Sequence, residues 1–297
     1  MEKSREKIRF LEGGITLKKK IILSILVGLL ALLFIIPLFL TVSNSFMEPS
    51  QVQNQYENIF QSKGSEFSGL KFIPDWISLK QYYQVLILKT NFLKMFWNAS
   101  FMVGPIILGQ IMVSTFAAYA FAKLKFAFRD QLFYLYILLM LMPFQVTVVP
   151  NYLIANYLGM LDQFTSIIFP GVFSVFGVFL LRQFMQKIPD AYLEAAKIDG
   201  ANHFQIFFKI ILPLSKNYIA SLGVLLMIDY WNMVEQPLIF LKDVSMHPLS
   251  LYLAQVNKEE MGVAFAAATI YMIPVLLVYL YAENYFVEGI KNSGLKG

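Results

Sequence analysis

The sequence predicts an all-α integral membrane protein, and three observations carry that prediction. The 297 residues are 58% hydrophobic and only 14% charged, with a mean hydropathy of +0.60, whereas a soluble domain carries about 25% charged residues. Apolar runs near the ~20 residues needed to cross a bilayer recur at residues 21–45, 95–122, 131–161, 163–181, 217–240 and 261–282. Lys and Arg are shared unevenly among the segments that join these runs. The same composition excludes other classes. There is no cysteine, so neither disulfides nor thiolate metal sites are available. The two histidines, His203 and His247, are too far apart in sequence to suggest a metal cluster.

The elements follow in order. Residues 1–20 form a basic N-terminal tail ending in Lys18, Lys19 and Lys20. The run at 21–45 has a basic head like that of a signal peptide. Its apolar stretch is longer than a usual signal core and no small-residue cleavage pattern follows, so it reads as a retained first helix. Residues 46–94 are expected to form a small cap, with helix starting near Ser78 as an N-cap. The third run holds both Pro143 and Pro150 and predicts a bent or broken helix. Pro37, Pro105, Pro170 and Pro274 lie in the other apolar runs, where neighbouring helices in a membrane can satisfy the freed carbonyls. The fifth run is interrupted by Asp229 and Glu235.

Six runs place both ends of the chain on one side. With residues 1–20 inside, the inner segments hold 17 of the 24 Lys and Arg residues and the outer segments hold 7. The positive-inside rule then predicts cytoplasmic termini, including the tail at 283–297, and an extracytoplasmic segment at 46–94. It gives the net charge of +5 a topological meaning rather than a phosphate-binding one. It also puts the polar loop at 187–213 in the cytoplasm, between the fourth and fifth runs.

That loop reads as a helical hairpin. Asp190 follows Pro189 and is placed to cap a helix from Ala191 to Asp199, which Gly200 ends. Asn202 is placed to cap a second helix running to Lys209, in which Phe204, Phe207, Phe208 and Ile211 form one apolar stripe. An interfacial helix lying on lipid and a docking helix for a cytoplasmic partner both fit an apolar stripe. The first helix favours docking. Ala191, Ala195 and Ala196 permit close approach, and Glu194 and Asp199 would be repelled by anionic headgroups.

The stretch "EAAKIDGA…ILP" resembles the EAA loop of ABC importer permeases, through Glu194, Ala195, Ala196, Gly200, Leu212 and Pro213. "FIPDWISLKQYYQVL", "STFAAYAFAKLKFAFRD", "DYWNMVEQPLIFLKD" and "YFVEGIKNSGLKG" resemble the maltose-permease-like, carbohydrate-uptake branch, so that the likeness covers roughly residues 20–297. The resemblance implies a six-helix permease core over 95–282 with a coupling loop that docks on an ATPase. Glu194, Ala195, Ala196, Asp199, Gly200, Ala201, Phe204 and Pro213 are its expected coupling residues. It implies a sister permease in a heterodimer, two ATP-binding subunits, an extracellular solute-binding protein facing the loop at 242–260, and a sugar or oligosaccharide cargo. The expected setting is the cell membrane of a bacterium or archaeon. ATP and magnesium are expected on the partner ATPase and no cofactor on this chain, which lacks a G-x-x-x-x-G-K-[ST] phosphate loop. Asp229, Tyr230, Trp231 and Asn232 on the fifth run are candidates for the substrate pathway, although Tyr230, Trp231 and Asn232 are better suited to packing against the sister subunit or anchoring the helix at an interface.

Three rival readings are weaker on the residues. Asp229 within a membrane run suggests a proton-coupled transporter, but only Glu235 is near enough in sequence to extend a relay. His203 with Glu194 and Asp199 suggests a membrane enzyme, but His203 adjoins the phenylalanine stripe of a surface helix. A permease for amino acids or glycerol phosphate shares the EAA loop, and the Trp231-Asn232 and Pro237-Leu238 stretch and the tail tilt the choice to carbohydrate.

Overall fold

The computed structural model describes residues 17–60, 71–254 and 260–294. Among these every regular element is a helix, apart from an isolated antiparallel bridge between Met47 and Ile77. Four helices are long and apolar enough to cross a membrane, or up to six if each of two bent helix pairs counts as one span.

The chain divides into two compact units. The smaller contains α1 (Leu17–Ser45), α2 (Pro49–Phe60), α3 (Lys80–Tyr83) and the first residues of α14 (Met261–Gly294). α1 is apolar on every face and exposed along its membrane run, as expected of a helix whose solvent is lipid or another subunit. α2 is amphipathic. Val52 and Tyr56 bury against Met47, Met261 and Phe265, while Asn54 on another face stays exposed. Ser78 caps α3 as expected, its Oγ accepting the Lys80 amide at 3.2 Å. Gln81 is buried and donates to the Met47 carbonyl at 2.5 Å.

The larger unit is built round α4 (Thr90–Lys123). It continues through α5 (Arg129–Met140), α6 (Phe144–Tyr157), α7 (Thr165–Val172), α8 (Val175–Met185), α9 (Ala191–Ile198) and α10 (His203–Ile206). Then come α11 (Lys216–Trp231), α12 (Glu235–Phe240), α13 (Leu249–Ala254) and the remainder of α14. Met102 and Ile106 of α4, Ile167 of α7, Leu181 of α8 and Leu222 of α11 are fully enclosed at its centre. Backbones approach closely there because small residues face the contact. A Cβ on Gly171 would stand 2.9 Å from Ile106, and one on Gly109 would stand 2.6 Å from Val172. Close approach through small residues is how helices associate where lipid supplies no hydrophobic drive between them.

Several boundaries differ from the apolar runs. The third run is broken as expected: α5 and α6 meet at 101°. The break falls at residues 141–143, with Pro143 extended ahead of α6, while Pro150 lies inside α6. A proline disfavours helix at the residue before it, which makes Met142 the weak point. The fifth run is not one helix. α11 ends at Trp231 and α12 begins at Glu235. α1, α4 and α14 all extend beyond their charge-free stretches, α14 through Gly294 into the expected tail. A charge ends an apolar run without ending the backbone hydrogen-bond ladder, so hydropathy places helix ends only loosely. Of the polar stretch at 48–69, residues 48–60 form α2 and the residue before it, and 61–69 lie outside the described residues.

Candidate functional site

α9 and α10 form a hairpin between α8 and α11. Gly200 has φ +80°, the left-handed geometry that ends α9. Its amide and that of Ala201 bond back to Lys197 and Ala196, so the turn satisfies two helix-end carbonyls. Asn202 caps α10 in a reciprocal box: its Oδ1 accepts the Gln205 amide at 2.9 Å, and Gln205 Oε1 accepts the Asn202 amide at 2.8 Å. The Asn-x-x-Gln spacing of Asn202 and Gln205 is a sequence-level signal for that box.

Two expectations about the hairpin are corrected. Asp190 makes no cap hydrogen bond. Its carboxylate instead takes Lys123 Nζ at 2.7 Å, and the same ammonium donates to the Ile188 carbonyl. The Lys123 side chain is only 3% exposed, and a charge-assisted bond to a shielded ammonium outweighs an exposed cap. The apolar stripe is also rotated. Ile206, Phe207 and Ile211 are buried, whereas Phe204 and Phe208 are exposed. The cause is a π-helical turn at Phe207–Ile211, which widens the helix and shifts the face presented inward.

The buried residues anchor the hairpin on the end of α4. Phe207 stacks on Phe116 with centroids 4.5 Å apart and tilts against Tyr119 at 5.4 Å. Leu193 of α9 and Ala196 and Ala201 join the same apolar cluster. What remains outward is Tyr192, Glu194, Ala195, Ile198 and Phe204, with Ile198 86% and Phe204 70% exposed. Asp199 and Gly200 line a cleft of about 260 Å³ beside Gln205 and Lys209. Pro213 is exposed in the last turn, Leu212–Leu214, before α11. The structure therefore groups Glu194, Ala195, Asp199, Gly200 and Phe204 on one open hairpin and turns Ala196 and Ala201 inward. Ile198 and Tyr192 were missed, because helical spacing alone does not say which apolar residues a short helix leaves uncovered.

The Lys123–Asp190 bond makes the hairpin's start pH-sensitive. The hydrogen bond from Lys123 holds the Asp190 carboxyl below its usual value. A depressed folded pKa stabilises above the unfolded value, and the gain disappears as pH falls below about 4. Asp190→Asn is expected to lower the melting temperature at pH 7, and the difference from the parent is expected to shrink as pH falls through the lowered carboxyl value, in thermal unfolding followed from neutral to acid pH.

The four fifth-run candidates part ways. Trp231 is 2% exposed, and its Nε1 donates to the Tyr271 carbonyl at 3.0 Å. Tyr230 is buried too, with its hydroxyl directed at the Gly171 carbonyl. Trp231 is thus packed among the chain's own helices, whereas Tyr230, although mostly buried, still contributes to the wall of the cleft that Asp229 and Asn232 line. Asp229 and Asn232 are exposed and line a cleft of about 460 Å³ with Phe144, Met233, Glu235 and Gln236. The Tyr271 hydroxyl donates to Asn232 Oδ1 at 2.8 Å. Gln145 Nε2 lies 3.3 Å from Glu235 Oε2. Asp229 forms no ion pair among the described residues. Tyr271 lies 40 residues beyond Trp231, a pairing no local pattern reveals.

This architecture of long apolar helices carrying a short helical hairpin has counterparts. Residues 110–292 match the family described as binding-protein-dependent transport system inner membrane component. The chain belongs to this family. This permease is 30% identical over 276 residues to the sn-glycerol-3-phosphate transport system permease protein UgpE of Yersinia pestis bv. Antiqua, covering 91% of this chain and 94% of that protein. It is 31% identical over 206 residues to the polygalacturonan/rhamnogalacturonan transport system permease protein YtcP of Bacillus subtilis, covering 63% and 71%. Its fold matches a chain of a bacterial ABC transporter involved in the import of the acidic polysaccharide alginate, with TM-score 0.76 and 24% identity over 92% of this chain and 99% of that one. The permease is thus the multi-pass membrane component of an ABC importer that works with a solute-binding protein, and ATP is hydrolysed by a separate subunit.

Proposed function

We propose that this chain is one of two permease subunits of a carbohydrate importer, paired with a sister permease over two ATPase subunits. The observation that carries this is the hairpin: an outward face at Glu194, Ala195, Ile198 and Phe204, and an inward face locked to α4 through Phe207 and Lys123. A partner closing on the outward face pulls α4 through the inward one. Glu194 supplies a charge-assisted contact and Gly200 keeps the corner tight. In this reading α5 with α6, α7 with α8, and α11 with α12 each make one span, giving six. Both termini and the hairpin are cytoplasmic, supported by the excess of Lys and Arg in the inner segments. ATP-driven closure tilts the spans and alternates access to the cleft at Asp229 and Asn232.

The cleft's charge separates a sugar from the phosphate ester named for UgpE. Its lining holds two carboxylates, Asp229 and Glu235, and no Lys or Arg. Two carboxylates facing one cleft with no balancing cation repel an anion. A neutral oligosaccharide, by contrast, needs hydroxyl partners, which Asn232 and Gln236 supply. The complex reconstituted in proteoliposomes with its binding protein is expected to take up a neutral oligosaccharide upon ATP addition. Uptake of sn-glycerol 3-phosphate without uptake of any sugar would support the second reading, a glycerol-phosphate permease. Asp229→Lys is expected to cut neutral-sugar uptake less than it raises uptake of an acidic oligosaccharide, measured in competition.

A further inference from the structure

A second cleft, of about 620 Å³, lies wholly within the smaller unit, among residues that the transport cycle above does not use. Its lining includes Glu48, Gln51, Asn54, Lys71, Asp75 and Trp76. We propose that this cleft binds carbohydrate on the extracytoplasmic face, as a staging site for the cargo. The assignment of side rests on the topology proposed above.

The chemistry follows from the lining. Trp76 is 78% exposed, leaving an aromatic face open to solvent. A large amphipathic ring of this kind suits the C–H face of a pyranose, with its polar edge still wet. Around it the polar groups are already positioned. Lys71 pairs with Asp75, and Lys80 pairs with Glu48. Gln51 Nε2 donates to Asp75 Oδ2 at 2.7 Å. That bond fixes the Gln51 amide, with its Oε1 turned inward. Asn54 is exposed on the same wall and offers a free amide to sugar hydroxyls. Glu48 is held ionised by the hydrogen bond from Lys80, and further by one from Ser78, so its carboxyl lies below its usual value and offers acceptor lone pairs at neutral pH. The volume is in the range of small-ligand pockets.

The test is saturation-transfer NMR on the full chain in lipid nanodiscs, without the binding protein, with neutral arabino-oligosaccharides and galacturonate oligomers as probes. A saturable signal with a dissociation constant of about 1–10 mM is expected. Trp76→Ala, at a side chain that buries little, and Asn54→Ala are each expected to weaken binding at least about fivefold, the change that loss of roughly 1 kcal/mol of contact produces. Three outcomes overturn the proposal. One is no signal with either probe. Another is a signal that both variants leave intact but Asp229→Asn abolishes, which moves the sugar to the other cleft and leaves the carbohydrate reading standing. The third is a Trp76 effect on binding-protein capture or lipid insertion with sugar binding unchanged. Sugar bound at Trp76 by a complex that imports no sugar would instead count against the transport reading alone.

Discussion

Gly200→Val is expected to leave the partner subunits hydrolysing ATP while solute uptake falls about tenfold or more. The reason lies in the backbone and not in crowding. A Cβ at Gly200 would meet nothing within 4 Å, yet φ there is +80°. A left-handed residue with a β-carbon costs about 1–2 kcal/mol, and asparagine is among the few that adopt that geometry routinely. Valine therefore drives the corner toward a right-handed turn. That change re-aims α9 against α10 and lifts Glu194, Ala195 and Ile198 from the surface they present together. Because Leu193 and Phe207 still anchor the hairpin to the cluster round α4, the helices of the larger unit stay folded. Gly200→Asn is expected to retain most transport. The measurement is ATP hydrolysis and uptake in the same proteoliposomes. Normal coupling in the valine variant would remove the corner from the mechanism.

Gly177→Leu acts on the opposite principle and is expected to abolish recovery of folded protein. A Cβ on Gly177 would collide with Ser114 Oγ and stand 3.0 Å from Ser114 Cβ and 3.2 Å from Leu222. α8, α4 and α11 meet there at the centre of the larger unit, so a leucine cannot be placed without separating them. Overpacking by single methylenes already costs about 1–3 kcal/mol. Gly177→Ala should therefore lower the melting temperature without abolishing folding, and Ser114→Gly in the same chain should restore part of the loss. Size-exclusion profiles and thermal melts in detergent decide this. A leucine variant as monodisperse and stable as the parent would contradict the contact.

Much of this architecture was legible because lipid imposes a simple rule: helices whose backbones satisfy themselves and whose apolar runs match the bilayer. The broken third run was signalled by Pro143, and the corner and second cap by Gly200 and Asn202, since each has a local physical meaning that context rarely overrides. What stayed hidden depended on residues distant in sequence. Lys123 claims Asp190 from 67 positions away, and Tyr271 claims Trp231 and Asn232 from about 40. The π-helical turn at Phe207–Ile211 likewise rotated an apolar stripe that perfect α-helical spacing placed one residue off. Of the hairpin residues proposed to couple, the glycine and the acid could be named in advance, while the exposure of Ile198 and the inward turn of Ala196 needed the fold.

The most direct test of the account uses the absence of cysteine from the chain. Ile198→Cys places a single thiol on the outward face of α9, and a short bifunctional maleimide then reports its neighbour in the assembled complex. The account predicts a crosslink to the ATPase subunit whose yield changes with bound nucleotide. A crosslink to the solute-binding protein, or none to the ATPase in any nucleotide state of a transport-competent complex, would contradict it.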